Sequence, residues 1–350
     1  MTYRYQKTWP PPNQLAYDRL KFVSRAPAAP ANNLTRVRNE LDLLPRTSGR
    51  MQSVLAITDL GPESETLLSA AAKFALQQGM ALYLAYYCRK PQHGFTNPIE
   101  RLTQRARHLS RHHQMQIRLG VNRELSEKDV PPLAQGFDLV FIQRDQLLQR
   151  SFFWSSPLIR RLLDHARIRV MAYTPSAVIP GPNAIVASRN EAAVPTLVSA
   201  LCMLGDTKTI ELLHVVDGVN FPSLDELEKG KGILHHTLRQ YWLEVRKRFD
   251  TAISTLSPVV KAKIDLVLAH GDTRSEILKR LHHRSGSTLV LGWQQRARPL
   301  SLMRDRLVLR LLRDVEASVL LVPLHRSTQS TWHPTALANL AVQHWVRATK

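Results

Sequence analysis

The stretch from Ser53 to Pro175 and the stretch from Asn183 to Pro323 read as two copies of one strand-and-helix unit. Each opens on a short apolar run, SVLAITD in the first and NAIVAS in the second, followed by an Ala- and Leu-rich helical pattern. Each closes on a pair of apolar runs, DLVFIQ with RIRVMAYTP and STLVLG with ASVLLVP, so that Gln143 stands to Gly292 as Pro175 stands to Pro323, to within one position. A repeat of about 130 to 150 residues is a whole domain rather than a solenoid unit.

Between these ends, strands alternate with helices. The first copy predicts strands at 54–57, 81–88, 115–119, 138–142 and 169–173, with helices at 63–78, 98–114, 130–135 and 157–165; Gly79 ends the first helix. The second predicts strands at 184–187, 209–216, 263–268, 288–291 and 318–322, with helices at 192–204, 233–256, 275–283 and 304–313. Such alternation predicts parallel sheets with right-handed crossovers. The resulting division is a basic, Pro- and Ala-rich extension over 1–50, domains at 51–177 and 178–325, and a tail at 326–350 with a short amphipathic helix.

Composition narrows the function. With 44% hydrophobic residues the chain can build a core in each domain, and no apolar run reaches the length of a membrane span. A cytoplasmic location is the expectation. Two cysteines, Cys88 and Cys202, supply neither a disulfide framework nor a Cys-rich zinc site, and both read as buried small apolar residues. The formal charge of +20 is spread along the chain, which fits general solubility or a polyanionic partner such as nucleic acid. In the extension, Tyr3, Tyr5 and Trp9 interleave with Arg4 and Lys7, a mix suited to docking on the globular body or a partner chain, or to stacking on nucleotides.

Histidines cluster at His108, His112 and His113, at His235 and His236, and at His282 and His283. The His108 and His112 spacing suits a metal-binding helix face, but Leu109, Ser110 and Arg111 replace a catalytic glutamate, and Arg105, Arg107 and Arg111 repel a cation. No metal is expected. No nucleophile elbow, P-loop or paired-carboxylate pattern appears, so no catalytic residue is assigned.

The element order, the HGDTRSEILKR segment at 270–280 and the ending STLVLGWQQRARPLSLMRDRLVLRLLRDVEASVLLVP resemble a universal stress protein domain, and SVLAITDLGPESETLLSAAAKFALQQG resembles the start of the same domain. The resemblance spans roughly residues 51–324 as a tandem pair. It implies two Rossmann-like α/β domains of the adenine nucleotide alpha hydrolase type, each with a five-stranded parallel sheet of order 3-2-1-4-5, packed together through their last strands. Members that bind ATP carry Gly, two residues, Gly, nine residues, then Gly and Ser or Thr after the fourth strand. Glycines there let backbone N–H groups approach phosphate.

That signature has decayed. The second copy keeps Gly292 but has Gln295, Asp305 and Arg306 at the other positions, and the first has Gln143, Gln146, Ser156 and Pro157. The family's strand-one acid matches Asp59, whereas Ser188, Arg189 and Asn190 occupy that region of the second copy. Asp59 also suits a helix cap or turn. Around Gly292, the side chains of Arg296, Arg298, Arg304 and Arg306 offer a substitute phosphate clamp or a solvated loop. Phe152, Phe153 and Trp154 suggest a protein interface or core closure.

The resulting expectation is a non-catalytic regulatory or scaffold protein of the stress response that binds no ATP in the family's usual way. Its partners are the paired domain, a further copy or another protein. Two alternatives remain open. One is a nucleotide- or anion-responsive switch with a residual phosphate site in the second domain, using Gly292, Arg296, Arg298 and Arg306, while Asp59 is the first domain's candidate for holding a nucleoside; the other is a basic nucleic-acid-associated protein.

Overall fold

The computed structural model describes residues 53–88, 97–148, 158–163, 168–175, 182–205, 207–216, 233–284, 286–294 and 306–324. Expectations for the extension, the tail, Phe152 to Trp154, Arg296, Arg298 and Arg304 lie outside the described residues.

Ten strands form one sheet: β1 (Ser53–Thr58), β2 (Ala81–Tyr86), β3 (Ile117–Leu119), β4 (Leu139–Gln143), β5 (Arg169–Tyr173), β6 (Asn183–Ala187), β7 (Thr209–Val216), β8 (Ile264–His270), β9 (Thr288–Gln294) and β10 (Val319–Leu324). Their order is β3-β2-β1-β4-β5-β10-β9-β6-β7-β8. Every neighbouring pair is parallel except β5 with β10, so the sheet consists of two parallel five-stranded runs that meet head to tail.

The helices are α1 (Ser64–Gln78), α2 (Pro98–His113), α3 (Val130–Ala134), α4 (Arg144–Leu148), α5 (Leu158–Arg161), α6 (Val194–Cys202), α7 (Ile233–Ser254), α8 (Pro258–Lys261), α9 (Thr273–His283) and α10 (Arg306–Asp314). Two short helices, α4 and α8, fall where the sequence pattern gave loops; each is only about one turn long, too short for a hydrophobic period to register. Gly79, at φ 63°, closes α1 in the left-handed region while Met80 N donates to Ala75 O. Asn97 caps α2 by accepting from Glu100 N at 3.1 Å, with Pro98 at the first helical position.

Strand alternation sends side chains to two separate apolar layers. Val54 and Ala56 of β1 join the layer built with α1, α2, α6 and α7, whereas Leu55 and Ile57 join the layer under α3, α4, α5, α9 and α10. Both layers run continuously beneath the two runs of strands, giving a three-layer α/β/α body. Cys202 corrects an expectation: it is exposed, because Val194, Leu197, Val198 and Leu201 are the α6 residues that face the sheet, and Cys88 is only half-buried.

Register makes the two runs comparable residue by residue. Ile57 pairs with Ala85 and Ile142; Ala187 pairs with Leu213 and Leu291. Ile57 therefore corresponds to Ala187, Tyr86 to His214 and Gln143 to Gly292. Gln143 lies opposite Tyr173 and Gly292 opposite Val322, so Pro175 corresponds to Leu324 rather than to Pro323. The two closing prolines are not counterparts. Pro323 sits within β10 opposite Trp293, while Pro175 lies beyond β5 in a turn.

At the junction Val319, Leu320 and Leu321 pair with Ala172, Met171 and Val170. Met171 and Leu320 are counterparts, so a local two-fold passes between them. Contacts beside the strands reinforce the junction: Thr174 N donates to Ser318 Oγ at 3.3 Å, Thr174 Oγ1 donates to Ala317 O at 3.3 Å, and Arg144 Nη1 donates to Val315 O.

Candidate functional site: the two switch points

In each run the chain builds outward from its first strand in one direction and then crosses to the other side, leaving a crevice beyond the carboxyl ends of β1 and β4 and of β6 and β9. Open α/β sheets bind ligands at such switch points.

In the first run, Thr58 Oγ1 accepts from Leu60 N at 3.0 Å and Asp59 Oδ1 accepts from Gly61 N at 2.9 Å. Leu60 takes φ 58°, a conformation that costs a leucine roughly 1 kcal/mol and that these two side-chain bonds hold in place. A Cβ on Gly61 would lie 3.0 Å from Asp59 Oδ1. One oxygen of Asp59 is thus committed to the turn. Beside it the Tyr86 phenol is pushed well above its usual range by burial first, then by the Cys88 thiol, Glu124 and Asp59. This neighbourhood is rich in acids and disfavours an anion at short range.

The first two of the three positions that the family fills with glycine carry glutamines. Gln143 ends β4 with only 8% of its surface exposed. Gln146 lies in α4, 7% exposed, and neither its amide nitrogen nor its amide oxygen has a hydrogen-bond partner. Leaving such a group unsatisfied costs about 1–3 kcal/mol. Side chains here occupy the space that a phosphate-cradling backbone must leave open.

The second run repeats the first turn with different chemistry. Ser188 Oγ accepts from Asn190 N at 3.2 Å and donates to Asn190 O at 2.8 Å, while Asn190 Oδ1 accepts from Ala192 N at 3.0 Å. Ser188 plays the part of Thr58, so Arg189 stands at the position of Asp59. Its Nη2 donates to Thr273 Oγ1, the first residue of α9, at 3.4 Å. His214 replaces Tyr86, its Nδ1 lying 3.0 Å from Ser188 O and its ring 4.7 Å from that of Phe249. Asp272 caps α9 by accepting from Ser275 N and Ser275 Oγ, both at 2.8 Å, and these bonds hold its carboxyl below the usual range.

Gly292 has a packing reason to be glycine. A Cβ there would lie 2.5 Å from Leu324 Cδ1 and 3.4 Å from Leu197 Cδ2. Of the sequence-expected site residues, Asp59 and Gly292 lie at the switch points of different runs, Arg306 opens α10, and Arg296 and Arg298 fall outside the described residues. The correspondence of Arg189 with Asp59 went unread in the sequence. Its signal was present: a hydroxyl residue, Thr58 at the end of β1 and Ser188 just after β6, stands immediately before the residue in question.

Among the described residues no three His, Cys, Asp or Glu side chains are grouped to hold a metal ion, and no helix is long and apolar enough to cross a membrane.

No family model matches the sequence, and no curated protein matches it. Solved structures do. A universal stress protein from Archaeoglobus fulgidus DSM 4304 superposes with a TM-score of 0.53 at 10% identity, over 79% of this chain and 98% of that one. A structure from Pseudomonas aeruginosa UCBPP-PA14, titled "Putative Universal Stress Protein", gives 0.50 at 13% identity, over 86% of this chain and 98% of that one. At such identities the likeness is one of fold. The chain has the α/β fold of the universal stress proteins.

Proposed function

We propose that this protein is a non-catalytic regulatory or scaffold protein of the stress response, whose output is binding rather than turnover and which holds no ATP in the family's usual way. The observation that carries this reading is the pair of matched positions at the end of β4 and within β9. Gln143 fills one with a side chain, and Gly292 is accounted for at the other by the 2.5 Å approach of Leu324 to its missing Cβ. Neither is accounted for by a phosphate. The acidic neighbours of Tyr86 in the first run add repulsion where a triphosphate would approach.

Titration calorimetry with magnesium-ATP, paired with a phosphate-release assay, tests this reading on the full chain. No saturable heat and no turnover are expected. Saturable binding abolished by Asp59→Ala, or ATP hydrolysis by pure protein, sinks it.

A second reading has its own observation. Arg189, at the position of Asp59 and hydrogen-bonded to Thr273, puts a cation where the first run has an acid. An anion-responsive site in the second run would raise the melting midpoint with inorganic phosphate or nucleotides, since a ligand of the folded state alone must stabilise it. That gain would disappear in Arg189→Gln and persist in Asp59→Ala.

A further inference from the structure

Among the described residues, basic charge is not neutralised equally from helix to helix. Helix α2 buries Leu102, Ala106 and Leu109 against the sheet and turns Arg101, Gln104, Arg107, His108, Arg111 and His112 to solvent. That outer face follows the helical period; its one acid is Glu100, exposed at the N-terminal end, and from Arg101 to His112 it carries none. The nearest carboxylates are engaged: Glu100 in the cap with Asn97, and Glu65 with Arg105. Arg107 and Arg111 make no ion pair among the described residues. The adjoining edge strand β3 exposes Arg118, whose Nη2 donates to Gln116 at 2.9 Å. His113 is held below its usual range by burial first, then by His112 and Lys73, as expected inside a cluster of positive groups.

Helix α7, on the same side of the sheet in the second run, answers its cations internally. Arg248 lies 3.1 Å from Glu244 and 3.9 Å from Glu191, and Arg246 lies 3.8 Å from Asp250. The contrast singles out α2. From Arg101 to Arg111 the face runs about 15 Å along the helix axis, a length over which a nucleic-acid duplex presents several phosphates.

We propose that the outer face of α2 with the β3 edge is a docking surface for the phosphate backbone of a nucleic acid. Every exposed side chain from Arg101 to His112 offers an N–H, the donor set that phosphate oxygens take. An anionic membrane fits less well. The helix's apolar stripe is already spent on the sheet, and among the described residues the exposed large apolar ones, Leu76, Leu243 and Val259, lie on other elements. An acidic protein partner fits less well too, because the exposed side chains of this face include no Trp, Tyr, Phe or large aliphatic residue to fill a pocket at the centre of a protein interface. The surface is independent of both switch points and stands whether or not either takes a ligand.

The test is fluorescence anisotropy of the full chain with a labelled duplex and a labelled single strand, titrated across a salt series. Affinity should fall steeply with salt, and Arg107→Gln with Arg111→Gln should lower the slope of log K against log salt by about 2 and weaken binding roughly tenfold or more. Arg246→Gln with Lys247→Gln on α7 should leave the slope unchanged. Absence of binding at low salt overturns the proposal, as does an equal loss in the α7 control. Displacement of the probe by poly-glutamate as readily as by unlabelled nucleic acid, or capture by phosphatidylserine vesicles without binding to either probe, overturns it as well. Unchanged thermal melting of both double variants separates lost contacts from lost folding.

Discussion

The two runs of strands share a register and differ in nearly every polar group hung upon it. Tyr83 and Glu211 occupy the same place in β2 and β7. Tyr83 meets Phe137 edge-on at 5.2 Å, whereas Glu211, wholly buried, faces Arg280 at 3.4 Å and Arg284 at 3.1 Å. Asp59 opposes Arg189, Tyr86 opposes His214, and Gln143 opposes Gly292. Backbone geometry tolerates all these exchanges because hydrogen bonding along the strands is indifferent to side-chain chemistry. The site chemistry is not indifferent. One architecture therefore carries a carboxylate at one switch point and a guanidinium at the same position of the other.

The largest expected effect lies at Glu211. Replacing Arg280 and Arg284 together with alanine strands a buried carboxylate and should cost about 3–5 kcal/mol in denaturant unfolding. Removing Glu211 instead leaves two cations each 34% exposed, able to turn to water, and should cost less than half as much. Equal costs would mean that β7 and β2 are held in the same way, and the contrast between the runs would fail there.

Next comes Gly292. Gly292→Ala should destabilise by about 1–3 kcal/mol through overpacking, and Leu324→Ala in the same chain should recover part of that loss. A double-mutant cycle reads the coupling directly. If Gly292→Ala left stability untouched, the packing account of this glycine would fall and a ligand-facing role would regain ground.

Acid should separate the loops that precede α3 and α9. Asp129 accepts from Arg123 at 3.0 Å, from Ser126 N at 2.9 Å and from Ser126 Oγ at 2.7 Å, and the Arg123 bond leads in bringing its pKa down to about 2. A carboxyl depressed in the folded state contributes stability above its unfolded value of 3.8 and loses it as pH falls toward about 2. Asp129→Asn should flatten that acid limb by about 1–2 kcal/mol, allowing for its partial exposure. Asp272→Asn should flatten it less, because Asp272 is barely buried. Melting curves from neutral pH down to pH about 2 check the order.

The smallest effect is at Asp59, where Asp59→Ala removes one turn hydrogen bond and should cost about 0.5–1.5 kcal/mol. A much larger loss would give Asp59 a structural weight that Arg189 does not share.

The strands were legible because alternation of apolar residues and length suffice to define them. SVLAIT, LVFIQ and VLLVPL announce buried strands on sight, and Gly79 announces the end of α1. What sequence spacing could not deliver was correspondence at the strand ends. The prolines at 175 and 323 suggest a correspondence one residue out of register, because a residue type shared near two strand ends carries no information about the hydrogen-bond ladder. Pairing partners across β4, β5, β9 and β10 put it right. The Glu211 triad was hidden for a related reason. Its arginines lie far along the chain from Glu211, and only the packing of α9 over β7 brings them together.

The seam between β5 and β10 carries a consequence for how two unlike crevices can coexist. Two identical chains meeting edge to edge about the same axis would be bound to repeat every residue, so an acid at one crevice would dictate an acid at the other. Joined as one polypeptide, Met171 and Leu320 keep the symmetric handshake of such a pair while each side changes alone. The antiparallel seam also turns the carboxyl ends of the two runs toward opposite rims of the sheet. The two switch points therefore open at opposite rims of one sheet.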